Sequence, residues 1–545
     1  MSEPVSRVPE KHHRYYLMTS IPYVNGTAHI GFALEAIQSD TLVRFHRAKG
    51  DDTRFLSGTD ENALTVVQAA DLAGEDLVPL VERNAESFRA IQEPLQVHYD
   101  DFIRTSTDPR HFPGAQKLWR ACADAGDIYK RQYQGQYCIR CERFYKAEEL
   151  VDGKCPIHGT VPELIDEENY FFRLTNYQDR LKDLITSGEL RVQPEHRKEE
   201  ILSFIESGLE DFSISRQALR GRGWGVPVPD DPDQVMYVWI DALSNYITAL
   251  DYATDGPLFE EYWLQSDERV HVIGKDILRF HSVYWPALLL SANLPLPTTV
   301  NVHEFLTSGG EKMSKSKGNV INPLKLVEEY GNDAVRYWLL REMPRTSDGD
   351  FTYDRLIGRY NQDLANDLGN LVNRSIGMLQ RYRAGIVPDA GPRESPLQSI
   401  AGPLPERVSE ALDRFDFRMA ISAIWELVTT ANKYIDDTKP WVIAKAAKQD
   451  DATAAGEANA ELDRVLADLV EAIRLLAVHL APFIPIGAAR IATQVGFSLD
   501  DGGDVAAHAW TDALVGRELP KAAPIFPRIE ADVEVEADAA IAPSQ

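Results

Sequence analysis

The feature that most constrains the fold lies near the start of the chain. Tyr15 to Ser20 form a short apolar run, followed by the turn Pro22-Tyr23-Val24-Asn25-Gly26. From His29 onward, Ile30, Ala33, Leu34, Ile37, Leu42 and Phe45 recur at helical spacing. Thr53 to Ser57 is strand-like again and ends in the loop Gly58 to Asn62. Strand, turn, helix and strand in this order predict a doubly wound, Rossmann-type α/β unit with a parallel sheet. Such sheets bind ligands beyond the carboxyl ends of their strands.

The 545 residues exceed one such unit, and several segments sharing cores are expected. Residues 1–125 read as the first half of the α/β unit and 226–300 as its second half, with strand-like runs at Val235 to Ile240 and Val270 to Ile273. Between them, 126–225 holds a cysteine cluster and many aromatics and reads as a connective insertion. Val300 to Phe305 leads into a lysine-bearing loop region, 301–350. From 351 to 530 the pattern is helical: Leu364, Leu368, Leu371 and Val372 form one stripe, and Leu466 to Ile486 a long apolar one, as in a helical bundle. Residues 531–545 are acidic and alanine-rich, a composition expected to be disordered.

No apolar run reaches the roughly 18 residues of a membrane span, and Met1 to Arg14 lacks the apolar core of a secretion signal. A cytoplasmic protein is expected. The net charge of −27 argues against nucleic acid as a partner unless a specific signature for it appears elsewhere.

Neither Gly-x-x-x-x-Gly-Lys-[Ser/Thr] nor Gly-x-Gly-x-x-Gly occurs, which removes support for a P-loop enzyme or a nicotinamide enzyme. His29-Ile30-Gly31 stands where a helix begins after a strand, a place that favours an anion. His29 can donate to a phosphate oxygen, and Gly31 lets a nucleotide approach the backbone. An ordinary helix start with a solvent-facing histidine would look the same. Lys312-Met313-Ser314-Lys315-Ser316 is more specific. Lys312 and Lys315, three residues apart after Ser308-Gly309-Gly310, can bring two cations to one polyphosphate. Attack of a carboxylate on the α-phosphorus of ATP needs positioning and positive charge more than a protein nucleophile.

Cys138-Ile139-Arg140-Cys141 and Cys155-Pro156-Ile157-His158 make two metal-binding hooks thirteen residues apart. Cys138, Cys141, Cys155 and His158 can close a tetrahedral zinc site, structural because protein fills all four positions.

The two nucleotide motifs together resemble the signature pair of class I aminoacyl-tRNA synthetases. From Tyr15 to about Glu530 the chain resembles the methionyl-tRNA synthetases in particular. The matching segments include Ile21-Pro22-Tyr23-Val24-Asn25-Gly26, Gly58-Thr59-Asp60-Glu61, Tyr237-Val238-Trp239-Ile240-Asp241-Ala242, Gly274-Lys275-Asp276-Ile277 with His281, and Asp363 to Asn370. The resemblance implies a methionine pocket of Ile21, Tyr23, Asp60, Trp239, Ala242, Tyr246 and His281. Asp60 would hold the α-ammonium, aromatic walls would suit the thioether, and Tyr246 and His281 would bond near the sulfur. It implies ATP binding by His29, Gly31, Gly274, Asp276, Lys312 and Lys315, with Mg²⁺, and catalysis by His29, Lys312 and Lys315. It assigns Asn366, Asn370, Arg374 and Trp441 to the anticodon, by amide and guanidinium bonds to base edges and indole stacking. This is the nucleic-acid signature that the net charge called for; local patches such as Arg216, Arg220 and Arg222 would assist.

The resemblance implies methionine activation with ATP and transfer to tRNA(Met). A zinc-bearing insertion and a helical anticodon-binding bundle would complete the fold. A chain ending soon after Phe526 to Glu530 is expected to be a monomer. Two departures stand out. Phe32 occupies a position where the family has histidine, and Asn62-Ala63 replaces His-Gly. Losing one donor to phosphate lowers a rate on the order of a hundredfold. These changes keep open a divergent paralogue with a remodelled pocket, which would tolerate inhibitors or supply aminoacyl groups to a biosynthetic pathway. A tRNA-binding protein with a dead site is a third reading, opposed by His29, Asp60 and Lys315.

Overall fold

The computed structural model describes residues 12–139, 143–156, 159–313, 319–499 and 508–530. The chain divides into two compact units. One holds Met1–Ser39, Asp51–Glu93 and Val97–His303; the other holds Asp40–Gly50, Pro94–Gln96 and Glu304–Gln545.

The first unit is built on a six-stranded sheet. Its order is Asp101–Arg104, Asp52–Thr59, Arg14–Thr19, Glu268–Gly274, Thr299–His303 and Arg191–Gln193. Every pairing in it is parallel. The chain runs outward from Arg14–Thr19 through its second and third strands on one side; on the other it forms the edge strand Arg191–Gln193 first, then Glu268–Gly274 beside the first strand, and last Thr299–His303 between them. The order therefore reverses beside the first strand, and a crevice opens beyond Thr19 and Gly274. Tyr15, Tyr16, Leu17 and Met18 are all buried, as a central strand covered on both faces requires.

Residues 126–225 hold a four-stranded antiparallel sheet. Ile128–Cys138 and Glu163–Phe172 pair antiparallel over ten residues, flanked by Arg143–Tyr145 and Phe212–Ser213. Residues 178–206 then return to the main unit: two helices, Gln178–Ser187 and Glu195–Glu206, bracket the edge strand Arg191–Gln193 of the central sheet. Val235 to Ile240 is not one strand. Asp231–Met236 pairs antiparallel with Ser215–Gln217, and a helix spans Val238–Thr248. Its apolar residues Trp239, Ala242, Leu243, Tyr246 and Ile247 repeat with a helix period, which the short apolar run before them hides.

The second unit is helical after Phe351, as the sequence predicts, with long helices at Phe417–Thr438 and Ala452–Leu480. Residues 301–350 do not form a region of their own, because from Glu304 onward they pack with the helices. Lys312 lies in a short strand, Glu311–Lys312, paired antiparallel with Leu306–Ser308. Among the described residues no helix is long and apolar enough to cross a membrane.

Candidate active site

In the first unit, three strand ends bring most of the predicted residues to one crevice. The first strand leads through Ser20 and Ile21 to Tyr23, which forms an isolated parallel bridge with Asp60 after the second strand. Asp60 N–H donates to the Pro22 carbonyl (2.9 Å) and Val24 N–H to the Asp60 carbonyl (3.3 Å), so the sheet ladder continues into the site. The Asp60 side chain is buried, and its Oδ1 accepts from Asn62 N–H at 3.3 Å.

The Tyr23 ring meets Trp239 edge-on at 6.3 Å between centroids, and Trp239 stacks on Phe280 at 3.6 Å with the planes 8° apart. Trp239, Ala242 and Tyr246 fall on one face of the helix Val238–Thr248, at intervals of three and four residues. The Trp239 indole Nε1 is buried without a hydrogen-bond partner among the described residues. The Tyr246 hydroxyl lies 2.7 Å from His281 Nε2, and His281 Nδ1 lies 3.0 Å from the Ile277 carbonyl oxygen. A carbonyl only accepts, so Nδ1 carries the proton and Nε2 accepts from the tyrosine hydroxyl. Burial pushes the His281 pKa down to about 4, although the Ile277 carbonyl opposes this. Burial likewise raises Tyr246 well above its ordinary value, with the Glu35 and Asp60 charges adding to the rise. Both groups are neutral at physiological pH. The result is an aromatic cluster that carries a neutral polar pair, with the buried Asp60 carboxylate close enough to act on Tyr246.

The first helix, Ile30–Ala48, starts at the same crevice. His29 precedes it, and its Nδ1 accepts the Gly31 N–H at 3.1 Å. In the neutral ring the proton is then on Nε2. A Cβ at Gly31 would lie 2.9 Å from His29 Cε1 and 3.0 Å from Nδ1, so only glycine leaves room for this arrangement. Beyond the strand Glu268–Gly274, a Cβ at Gly274 would lie 3.0 Å from Asp276 Oδ1 and 3.7 Å from His303 Cε1. Gly274 therefore forms the floor of a narrow cradle walled by a carboxylate and an imidazole.

The two departures are buried. Phe32 packs edge-on against Phe88 at 5.0 Å. Asn62 Nδ2 donates to the Thr105 carbonyl at 3.3 Å, and the Asn62 carbonyl accepts from Arg216 NH2 at 3.0 Å. This corrects the expected basic patch. Arg216 is buried, Arg220 pairs with Glu163 and Glu167, and Arg222 pairs with Asp71. Acidic neighbours neutralise two of the three.

Sequence reasoning did not single out Phe280, Glu35 or His303. Phe280 adjoins His281. Glu35 is a lone carboxylate in the apolar run from Ala33 to Ile37, which was the available signal. Lys312 sits in the second unit, and Lys315 lies outside the described residues. Cys138 and Cys155 are buried in one small core with Tyr145 and Leu150. Cys155 N–H donates to the Thr160 carbonyl and Gly159 N–H to the Cys155 carbonyl, each at 2.8 Å. Cys141 and His158 lie outside the described residues.

In the second unit, Asn366 lies in a wide helix with i→i+5 bonding, Tyr360–Gly369, which runs into the α-helix Asn370–Arg383. Wide turns of this kind are rare and gather at functional sites. Arg374 NH2 pairs with Asp436 Oδ1 at 2.9 Å, and Asn432 Nδ2 donates to the Asp367 carbonyl at 2.9 Å. Asp436 lies near the end of the helix that leads, through Lys439, into Pro440–Ala446. Trp441 on that helix is 45% exposed, unusual for an indole.

Comparison with known proteins agrees over nearly the whole chain. The family described as tRNA synthetases class I (M) matches residues 15–160 and 145–376. The anticodon binding domain of methionyl tRNA ligase matches 387–541, which includes Trp441 but begins after Arg374. A methionine–tRNA ligase of Caldanaerobacter subterraneus subsp. tengcongensis is 41% identical over 96% of this chain and 80% of its own length. One from Brucella suis is 42% identical over 95% and 99%. The Mycobacterium tuberculosis methionyl-tRNA synthetase in complex with methionyl-adenylate has a TM-score of 0.88 at 40% identity, covering 95% of this chain and 100% of that one. Its apo form gives 0.82 at 37% identity, covering 95% and 99%.

Proposed function

The chain belongs to the methionyl-tRNA synthetase family of class I, and from that membership we propose how its own residues carry the activity. The activity is that of a methionine–tRNA ligase: L-methionine and ATP give methionyl-adenylate and pyrophosphate, and the methionyl group passes to tRNA(Met) with release of AMP. The observation that carries the residue assignment is the neutral Tyr246–His281 pair at the end of the Trp239–Phe280 stack. A thioether has no charge and accepts only weak hydrogen bonds, so a site for it is apolar, aromatic and neutral. A site for lysine or arginine would need a carboxylate there.

Tyr23, Trp239, Ala242 and Ile21 wall the side chain, and Asp60 takes the α-ammonium. The substrate carboxylate is thereby held toward the start of the first helix. Its oxygen attacks the α-phosphorus of ATP, and the bond to pyrophosphate breaks. His29 Nε2 donates to a phosphate oxygen, and the backbone N–H groups of the helix start add partial positive charge. Gly274 and Asp276 take the ribose. Lys312 and Lys315 hold the charge that moves onto the departing pyrophosphate. Mg²⁺ would share that charge as the ATP counter-ion. In the second step, a ribose hydroxyl at the tRNA 3′ end attacks the adenylate carbonyl and AMP leaves.

Zinc is proposed as a structural ion held by Cys138, Cys141, Cys155 and His158. The thiols of Cys138 and Cys155, buried in one small core, suit a four-ligand knuckle. Metal analysis should find one zinc per chain, lost in Cys138→Ser. Asn366, Asn370, Arg374 and Trp441 are proposed to read the anticodon. The family membership at this identity and coverage does not support the divergent-paralogue reading.

Methionine-dependent ATP–pyrophosphate exchange tests the assignment. Wild type should exchange, and Lys315→Ala should lose on the order of a hundredfold or more, because Phe32 supplies no donor to the triphosphate. A mild loss would count against the roles given to Lys315 and His29.

A further inference from the structure

We propose that His303 is a positioning residue for recognition of the nucleotide sugar, acting through the carboxylate of Glu35. Glu35 lies on the second turn of the first helix and is 3% exposed. Each of its oxygens has one anchor. Ser20 Oγ donates to Oε1 at 2.7 Å, and His303 Nε2 lies 3.0 Å from Oε2. The two anchors come from different strand ends. Ser20 follows the first strand, and its N–H is tied to the Val272 carbonyl at 3.3 Å. His303 ends its own strand and stands in register with Gly274. Its ring atoms Cε1 and Nε2 would be 3.7 and 3.8 Å from a Cβ on Gly274.

A buried carboxylate is stable only when hydrogen-bonded, and its two oxygens offer about four acceptor positions. Ser20 and His303 occupy one on each oxygen. Among the described residues no other group takes the remaining accepting positions, which lie at the switch point of the sheet and beside the cradle of Gly274 and Asp276. Sugar hydroxyls are donors of the right kind for this place. His303 holds Oε2 as Ser20 holds Oε1, so the carboxylate is fixed at both oxygens and its remaining acceptor positions are oriented. Without His303, Oε2 loses its anchor and the carboxylate turns about its last torsion, which is broad when unrestrained. The assignment rests on the reading of Gly274 and Asp276 as the ribose site.

The test compares ATP with its 2′-deoxy and 3′-deoxy analogues in methionine-dependent pyrophosphate exchange. His303→Phe keeps a ring of similar size but removes the donor; His303→Gln restores one. In His303→Phe the KM for ATP should rise about tenfold, the worth of one such hydrogen bond, with kcat and the methionine KM within twofold of wild type. The preference for ATP over at least one deoxy analogue should shrink by the same factor, and His303→Gln should recover most of it. Equal weakening of ATP and both analogues, an unchanged ATP KM, or an equal rise in the methionine KM would each overturn the proposal. If His303→Phe does not fold, Ser20→Ala removes the other anchor and carries the same expectation and the same refutation. Absence of exchange in the wild type would instead refute the adenylation reading, so the two failures are distinct.

Discussion

At the scale of single residues, Tyr246 and His281 show how burial sets the chemistry of a pocket. Both are forced neutral, and the Ile277 carbonyl decides which way their shared hydrogen bond points. Tyr246→Phe removes the hydroxyl and leaves His281 Nε2 buried without its donor. The KM for methionine should rise by about tenfold or somewhat more, while the KM for ATP stays near wild type. Steady-state exchange with each substrate varied in turn reads the difference. The kinds of residue in this pocket were legible from the sequence once the resemblance was recognised, but their pairing was not. Nothing in the order Trp239, Phe280, His281 says that the first two stack, because forty residues of chain separate them. Phe32 is the converse case. Its place in the motif marks it as a lost donor, but only the packing gives it a partner, Phe88.

At the scale of elements, the start of the first helix was readable because its apolar period and its histidine–glycine step are local. Gly31 has a sharper role than spacing implies, since a methyl group there would press on the His29 ring. Gly31→Ala should lower kcat for adenylation about tenfold or more, a 1 Å displacement being enough, with the methionine KM unchanged. Rapid-quench measurement of adenylate formation checks this. The first residues of the helix Val238–Thr248, up to Ile240, read as strand for a physical reason: they continue an apolar run, and period two cannot be told from period 3.6 over so few positions. In the helical region, the exposed Trp441 follows the left-handed Lys439 and opens a new helix. Trp441→Ala should reduce kcat/KM for tRNA by about ten- to a hundredfold, the worth of one stacked base, and leave pyrophosphate exchange untouched. Aminoacylation and exchange assayed side by side would reveal a failure.

At the scale of the whole molecule, each unit has its own buried charge. In the helical unit, Arg336 is fully buried, pairs with Asp40 at 2.8 Å and donates to the carbonyls of Leu95, Pro482 and Phe483. It gathers segments that are far apart in sequence, and explains why Asp40–Gly50 and Pro94–Gln96 pack with this unit. Asp333, three residues before it, has one oxygen without a partner among the described residues. Burial raises its pKa to about 6, against a lowering by Arg336. A carboxyl whose folded pKa lies above its unfolded value of about 3.9 favours folding while protonated, and that contribution is lost as pH rises through the folded value. Asp333→Asn should therefore match wild type near pH 4 and exceed its stability above pH 6 by on the order of 2 kcal/mol. Urea unfolding at both pH values checks the sign.

The sequence alone determined the class of fold and the family. Those depend on local period, on short motifs and on their order along the chain, all of which are carried by neighbouring residues. Tertiary structure decided the rest. It turned Val238–Thr248 into a helix, returned Arg191–Gln193 to the central sheet, and buried Arg216 instead of offering it to a phosphate backbone. It also joined Ser20, Glu35 and His303 beside Gly274. These outcomes arise where strands from distant parts of the chain pair and bury their ends together. The energy that fixes them belongs to contacts between segments, and no single segment records it.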